Sequence, residues 1–166
     1  MNSTPFTPKR ITRTYRQTIN ASPEVVFPLL CPVREAEWLD GWRYTMLFSQ
    51  SGLAEEGAVF TTPGEGEEDT VWIMTRHDAV QWAVEFTRFT PGSRVCVLRI
   101  GVKPASQGRS LVDIAYTYTA TSMAGNAFID RFTEESFRGA VTFWERSMNH
   151  WLETGERLAR GVDDRA

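Results

Sequence analysis

The sequence predicts an α+β domain: a curved, seven-stranded antiparallel sheet wrapped around a long C-terminal helix, with two short helices after the first strand. Three observations carry this. Strand-like segments dominate the middle of the chain, and the connections between them are too short for helical crossovers, so neighbouring strands must run antiparallel. Proline-led helical segments intervene only after the first strand. An aromatic-studded helical pattern from about Ala124 to Leu158 follows the last strand, and a helix of that length placed after a sheet must lie against it.

In residues 11–20, Ile11, Tyr15 and Ile19 alternate with threonines and arginines, the period of a half-buried strand. Ala21-Ser22-Pro23-Glu24 then starts a helix, with Ser22 placed to cap, Pro23 at the first helical position and Glu24 in the first turn. Val25, Val26, Phe27, Leu29 and Leu30 make it apolar, and Pro28 and Pro32 keep it short. A second small helix begins at Cys31-Pro32 and is stopped by Gly41.

Strands are predicted over residues 43–50, 58–62, 70–76, 79–89, 93–102 and 110–121. The connection at 63–69 holds four acids and two glycines and reads as a mobile, solvated hairpin tip, or functionally as a lid beside a cavity mouth. In the terminal helix Phe128 and Phe132 lie on a different arc from Phe137, Val141, Trp144 and Met148. The slip falls at Thr133 to Ser136 and predicts a kink or break there, with Phe128 and Phe132 near a pocket mouth and Trp144 and Met148 deeper against the sheet. Thr121 or Ser122 caps the start, and Gly161 marks the end.

With 166 residues the chain reads as one domain, 1–166, with an ordered core over about 11–158. A formal charge of -3, from 18 basic and 21 acidic residues, gives no polyanion-binding surface, so nucleic acid is not an expected partner. The polar N-terminus does not read as a signal peptide and no run approaches membrane-spanning length, so the expectation is a cytoplasmic monomer or homodimer without membrane insertion. Cys31 and Cys96 are expected to be reduced core thiols.

Motifs for chemistry are sparse. His77 and Asp78 fall in an expected hairpin turn and His150 lies far away, which supports neither a metal site nor a catalytic dyad. No nucleophile elbow or phosphate-cradling loop is present, so no catalytic residue, metal or cofactor is assigned. Glu35, Glu37 and Asp40 on the second short helix are expected to face water or pair with arginines.

The strand phases are more informative. One face of residues 80–88 carries Val80, Trp82, Val84, Phe86 and Arg88; Cys96, Leu98 and Ile100 match it in the next strand, and Val112, Ile114, Tyr116 and Tyr118 in the last. Trp72 with Met74 (or, one register over, Val71 with Ile73) and Tyr44, Met46 and Phe48 would extend this aromatic face. An inward Arg76 or Arg88 would need an ion pair or a ligand's carboxylate or phenolate, unless it reaches water at a strand end.

The run ASPEVVFPLL after the first strand, EWLDGW closing the helix pair and YTYTAT leading into the terminal helix resemble the START-related superfamily of polyketide cyclase-like and lipid-transport proteins (SRPBCC, Bet v1-like) over about Ile11 to Leu158. The resemblance implies a helix-grip fold whose sheet and last helix enclose a cavity for an apolar or amphipathic small molecule, a lipid, polyketide or aromatic compound. Its expected walls are Trp72, Met74, Arg76, Trp82, Phe86 and Arg88, then Tyr116 and Tyr118, with Phe128, Phe132, Trp144 and Met148 from the helix. The same rings can equally fill a solid core. A cyclase- or aromatase-like enzyme, in which Arg76, Arg88, Tyr116 and Tyr118 orient a carbonyl or stabilise an enolate, is the alternative, and a co-chaperone-like interaction module is a third.

Overall fold

A computed structural model describes residues 5–161. One sheet of seven strands runs in the order β1-β7-β6-β5-β4-β3-β2, with every neighbouring pair antiparallel. The strands are β1 (Arg10–Ile19), β2 (Thr45–Phe48), β3 (Val59–Thr62), β4 (Thr70–Asp78), β5 (Ala83–Thr90), β6 (Arg94–Pro104) and β7 (Ser110–Ala120). Between β1 and β2 lie helix α1 (Pro23–Val26), a single 3-10 turn and α2 (Pro32–Trp38). After β7 come α3 (Met123–Arg131) and α4 (Glu134–Thr154). No described helix is long and apolar enough to cross a membrane.

The slipped stripe is a true break. Phe132 ends α3 with its N–H shared between the Phe128 and Ile129 carbonyls, and Thr133 starts α4 by accepting the Ser136 N–H on its hydroxyl at 3.1 Å. Ser122 caps α3 by accepting the Gly125 N–H at 3.2 Å. Gly125 is required there, since a Cβ would stand 1.9 Å from the Ser93 carbonyl oxygen. The helix stops earlier than expected: Gly155, at φ +73°, caps α4 after Thr154, and Gly161 lies beyond the end. Leu158 then bridges to Leu39 and the Arg160 N–H reaches the Asp40 carboxylate, folding this segment back beside α2.

Ser22 occupies the α1 N-cap position without capping; its hydroxyl serves the Glu24 carboxylate, holding that acid below the usual range. Two bulges correct the expected phases. A register shift between Met74 and Arg76 sets Arg76 opposite the outward Glu85, so Arg76 points to solvent and pairs with Asp78 at 2.8 Å. A second, between Met46 and Phe48, leaves Phe48 exposed while Tyr44 and Met46 pack on the core. The predicted strand start at Ala79 is also corrected, to Ala83. β4 runs on through His77 and Asp78, and the Asp78 carboxylate accepts the Val80 and Gln81 N–H groups at 3.1 and 2.9 Å, closing a turn that leaves Val80 exposed and Trp82 at φ +50°.

The inner face otherwise follows the alternation: Val84, Phe86, Leu98, Ile100, Val112 and Ile114 are all buried. β1 adds a residue that its pattern hid. Gln17 is fully buried and its amide donates to the Val141 carbonyl of α4 at 2.8 Å, fastening the edge strand to the helix it faces.

Candidate functional site: a polar-seeded aromatic cavity

A cavity of about 290 Å³ lies between the sheet, α2 and α4. Phe60, Trp72 and Phe86 line it from β3 to β5, Leu98, Tyr116 and Tyr118 from β6 and β7. Phe132, Phe137, Val141 and Trp144 close it from the helix side, and the exposed Ala140 and Arg160 mark its rim. The rings pack edge to face and stacked: Trp72 meets Phe60 at 5.3 Å and Phe86 at 5.8 Å, while Trp144 stacks on the fully buried Trp38 of α2 at 6.0 Å. Rigid rings held by one another cannot collapse into the space they leave.

Of the residues expected to line a cavity, Trp72, Phe86, Arg88, Tyr116, Tyr118, Phe132 and Trp144 come together in it. The other five lie elsewhere. Met74 and Met148 are buried in the solid core, and Trp82 packs beside it at the β4–β5 turn. Arg76 is turned outward by its bulge. Phe128 belongs to a smaller cluster with Tyr118 and Ile129, beneath the Arg94 guanidinium, which lies 3.5 Å from its ring centre and pairs with Glu67 at 2.7 Å. That ion pair ties down the acidic 63–69 connection, and Arg94 holds the Glu67 carboxyl below its ordinary range.

Polar groups are few and specifically placed. Arg88 enters from β5 with its guanidinium 4.6 Å from the Trp72 ring centre and 5.1 and 5.2 Å from those of Tyr116 and Tyr118. It donates to the Tyr118 hydroxyl and has no carboxylate partner among the described residues. Burial pushes the Tyr116 phenol up to about 12, against the opposing pull of Arg88 and with a further rise from Cys96 and Glu35, so it stays a neutral donor at physiological pH. The Cys96 thiol, buried alongside, is likewise raised by burial. Trp144 is 8% exposed, and its indole N–H is buried without a hydrogen-bond partner among the described residues.

Glu35 is the residue the sequence reading placed wrongly. It sits on the cavity face of α2, one turn before Trp38, and no ion pair with a described residue neutralises it. It lines the cavity and is only partly accessible, and burial pushes its carboxyl up to about 8. The only available signal was positional: three residues before a tryptophan on a short amphipathic helix, Glu35 shares Trp38's inward face.

The architecture is that of the helix-grip, Bet v1-like fold. Norcoclaurine synthase from Thalictrum flavum superposes with a TM-score of 0.65 over 89% of this chain and 88% of its own, at 11% sequence identity. Ara h 8.0201 matches with a TM-score of 0.60 over 88% and 99% of the two chains at 12% identity. DynU16, from the dynemicin biosynthetic locus, matches over 92% of this chain and 49% of its own, with a TM-score of 0.54 and 12% identity. No family model matches the sequence and no curated protein is similar to it in sequence.

Proposed function

We propose that the protein binds an apolar or amphipathic small molecule, most suitably an aromatic one, between the sheet and α4, acting in the cytoplasm as a monomer or homodimer. The observation that carries this is a ring-lined hollow of about 290 Å³ whose lining includes the Arg88 guanidinium, unpaired with any carboxylate among the described residues. A half-buried guanidinium without a counter-charge is costly even when hydrogen-bonded, and a ligand's polar atoms would relieve that cost. The size falls near the lower end of small-molecule sites, suiting a compact ring system more than a long lipid chain. A protein of the same fold, norcoclaurine synthase, has been crystallised with dopamine and hydroxybenzaldehyde, which supports the fold's capacity for aromatic cargo.

Native mass spectrometry of the purified protein, followed by titration of small aromatics against tryptophan emission, tests this. Trp72 and Trp144 in the wall make quenching on binding the expected result. Absence of both a retained molecule and any response across acidic, neutral and basic aromatics would sink the proposal.

One observation favours a second reading, a cyclase-like enzyme. Burial raises the Glu35 carboxyl to about 8 in the same hollow as Arg88 and Tyr116, an arrangement able to hold and release a proton beside a polarised carbonyl. Turnover of a cyclisable polyketone lost in Glu35→Gln, with ligand binding retained, would separate enzyme from carrier.

A further inference from the structure

The charged groups of the cavity do not balance. Arg88 from β5 and Arg160 from the segment after α4 bring two guanidiniums to its lining, and Glu35 brings the lining's one carboxyl. The remaining titratable groups of the lining are the Tyr116 and Tyr118 phenols of β7, and α4 contributes none. Cys96 stands between Arg88 and Tyr118 in the neighbouring strands, while Arg34 and Glu37, on α2 itself, pair with one another at 2.7 Å. Arg88 is also the better anchor of the two cations. Three aromatic rings and the Tyr118 hydroxyl fix its guanidinium, so a planar anion would meet it without further ordering.

We propose that the ligand is an aromatic or alicyclic acid, its anionic head against Arg88 and its ring system between Trp72, Phe86 and Trp144, and that Glu35 enters the complex as the neutral acid, donating a hydrogen bond instead of repelling the ligand. This rests on the cavity being a ligand site, as proposed above, and adds the charge of what fills it. The upward displacement of the Glu35 titration to about 8 fits the second half: below that value the cavity holds no second anion, and above it a carboxylate faces the incoming one. Affinity for an acid should therefore fall as pH rises through the Glu35 titration, while affinity for a neutral molecule of the same shape should stay level.

The test uses two probes sharing one ring system, 2-naphthoate and 2-naphthalenemethanol, titrated calorimetrically against the full chain at about pH 6.5 and about pH 9.5, values on either side of the Glu35 titration. At the lower pH the acid should bind about tenfold or more tighter than the alcohol, the scale of one charge-assisted contact. Arg88→Gln should erase that preference, and Arg88→Lys should keep part of it. Raising the pH should weaken naphthoate about tenfold in the wild type and leave it unchanged in Glu35→Gln. Equal affinities of the wild type for the two probes would overturn the acid proposal while leaving the cavity as a binding site. Binding of neither probe would overturn both. A naphthoate affinity that ignores pH would overturn the role given to Glu35. The wild-type comparison needs no variant, so a misfolded Arg88→Gln would not rescue the proposal.

Discussion

The two halves of α4 face the same sheet and meet it differently. Its C-terminal half carries Met148 into a core shared with Ile19, Val26, Val102 and Val112, aliphatic or flexible side chains that are all 2% exposed or less. Its N-terminal half sets Phe137, Val141 and Trp144 against Trp72, Phe86, Tyr116 and Tyr118, and there the cavity lies. Branched and flexible chains interdigitate to crystal-like density, whereas rings locked edge to face keep whatever space their geometry leaves. One helix thus both closes a core and roofs a cavity, and the sequence of its contact face decides which.

The largest expected effect tests the closed end. Met148→Ala should cost about 3 kcal/mol in urea unfolding, because the wall around it is already filled and cannot relax inward. A smaller cost would mean that this end is also loose. Next comes a matched pair of enlargements. Val112→Phe should destabilise by about 2 kcal/mol or more through overpacking, and Leu98→Phe, whose side chain borders the hollow, by less than about 1 kcal/mol while weakening ligand binding. Equal costs would erase the distinction between the halves.

The open end also carries the pH signal. Glu35 has its folded titration raised above the ordinary carboxylate value, so the stability linked to it is full below about pH 4.5, where folded and unfolded chains are both protonated, and is lost as pH rises towards about 8. Stability should drop by on the order of 2 kcal/mol across that window, a figure reduced for the water that reaches the carboxyl through the cavity, and Glu35→Gln should flatten the profile. A last effect concerns the α3–α4 break: Thr133→Ala should cost about 1 kcal/mol by removing the α4 cap, without altering ligand affinity.

The element order, the sheet's inner face and the α3–α4 break were legible in the sequence because periodicity reports them directly: Val84, Phe86, Leu98, Ile114 and Tyr118 are inward where alternation places them. What alternation cannot report is an inserted residue. The bulges before Arg76 and Phe48 reverse the phase of everything beyond them in their strands, and nothing in a local pattern announces a bulge. The end of α4 was misjudged for another reason: Gly155 and Gly161 are equally good stops, and the periodic pattern fades between them. Of the cavity lining, Trp72, Phe86, Arg88, Tyr116, Tyr118, Phe132 and Trp144 were readable and Glu35 was not, since a carboxylate on a short helix is normally solvated and only packing of α2 against α4 turns this one inward.

The placement of Gln17 has a kinetic consequence. β1 is the first strand in the chain yet pairs only with β7, the last, so Arg10 meets Thr119, and Gln17 bonds to α4 a further helix away. The sequential hairpins from β2 to β7 can form early from near neighbours, but the edge carrying Gln17 must wait until nearly the whole chain has been made and both ends brought together. Until then the inner face of β7, with Tyr116 and Tyr118, stands beside an unpaired strand edge, and it is in this interval, before the first strand is laid down, that the protein is most open to capture by another sheet.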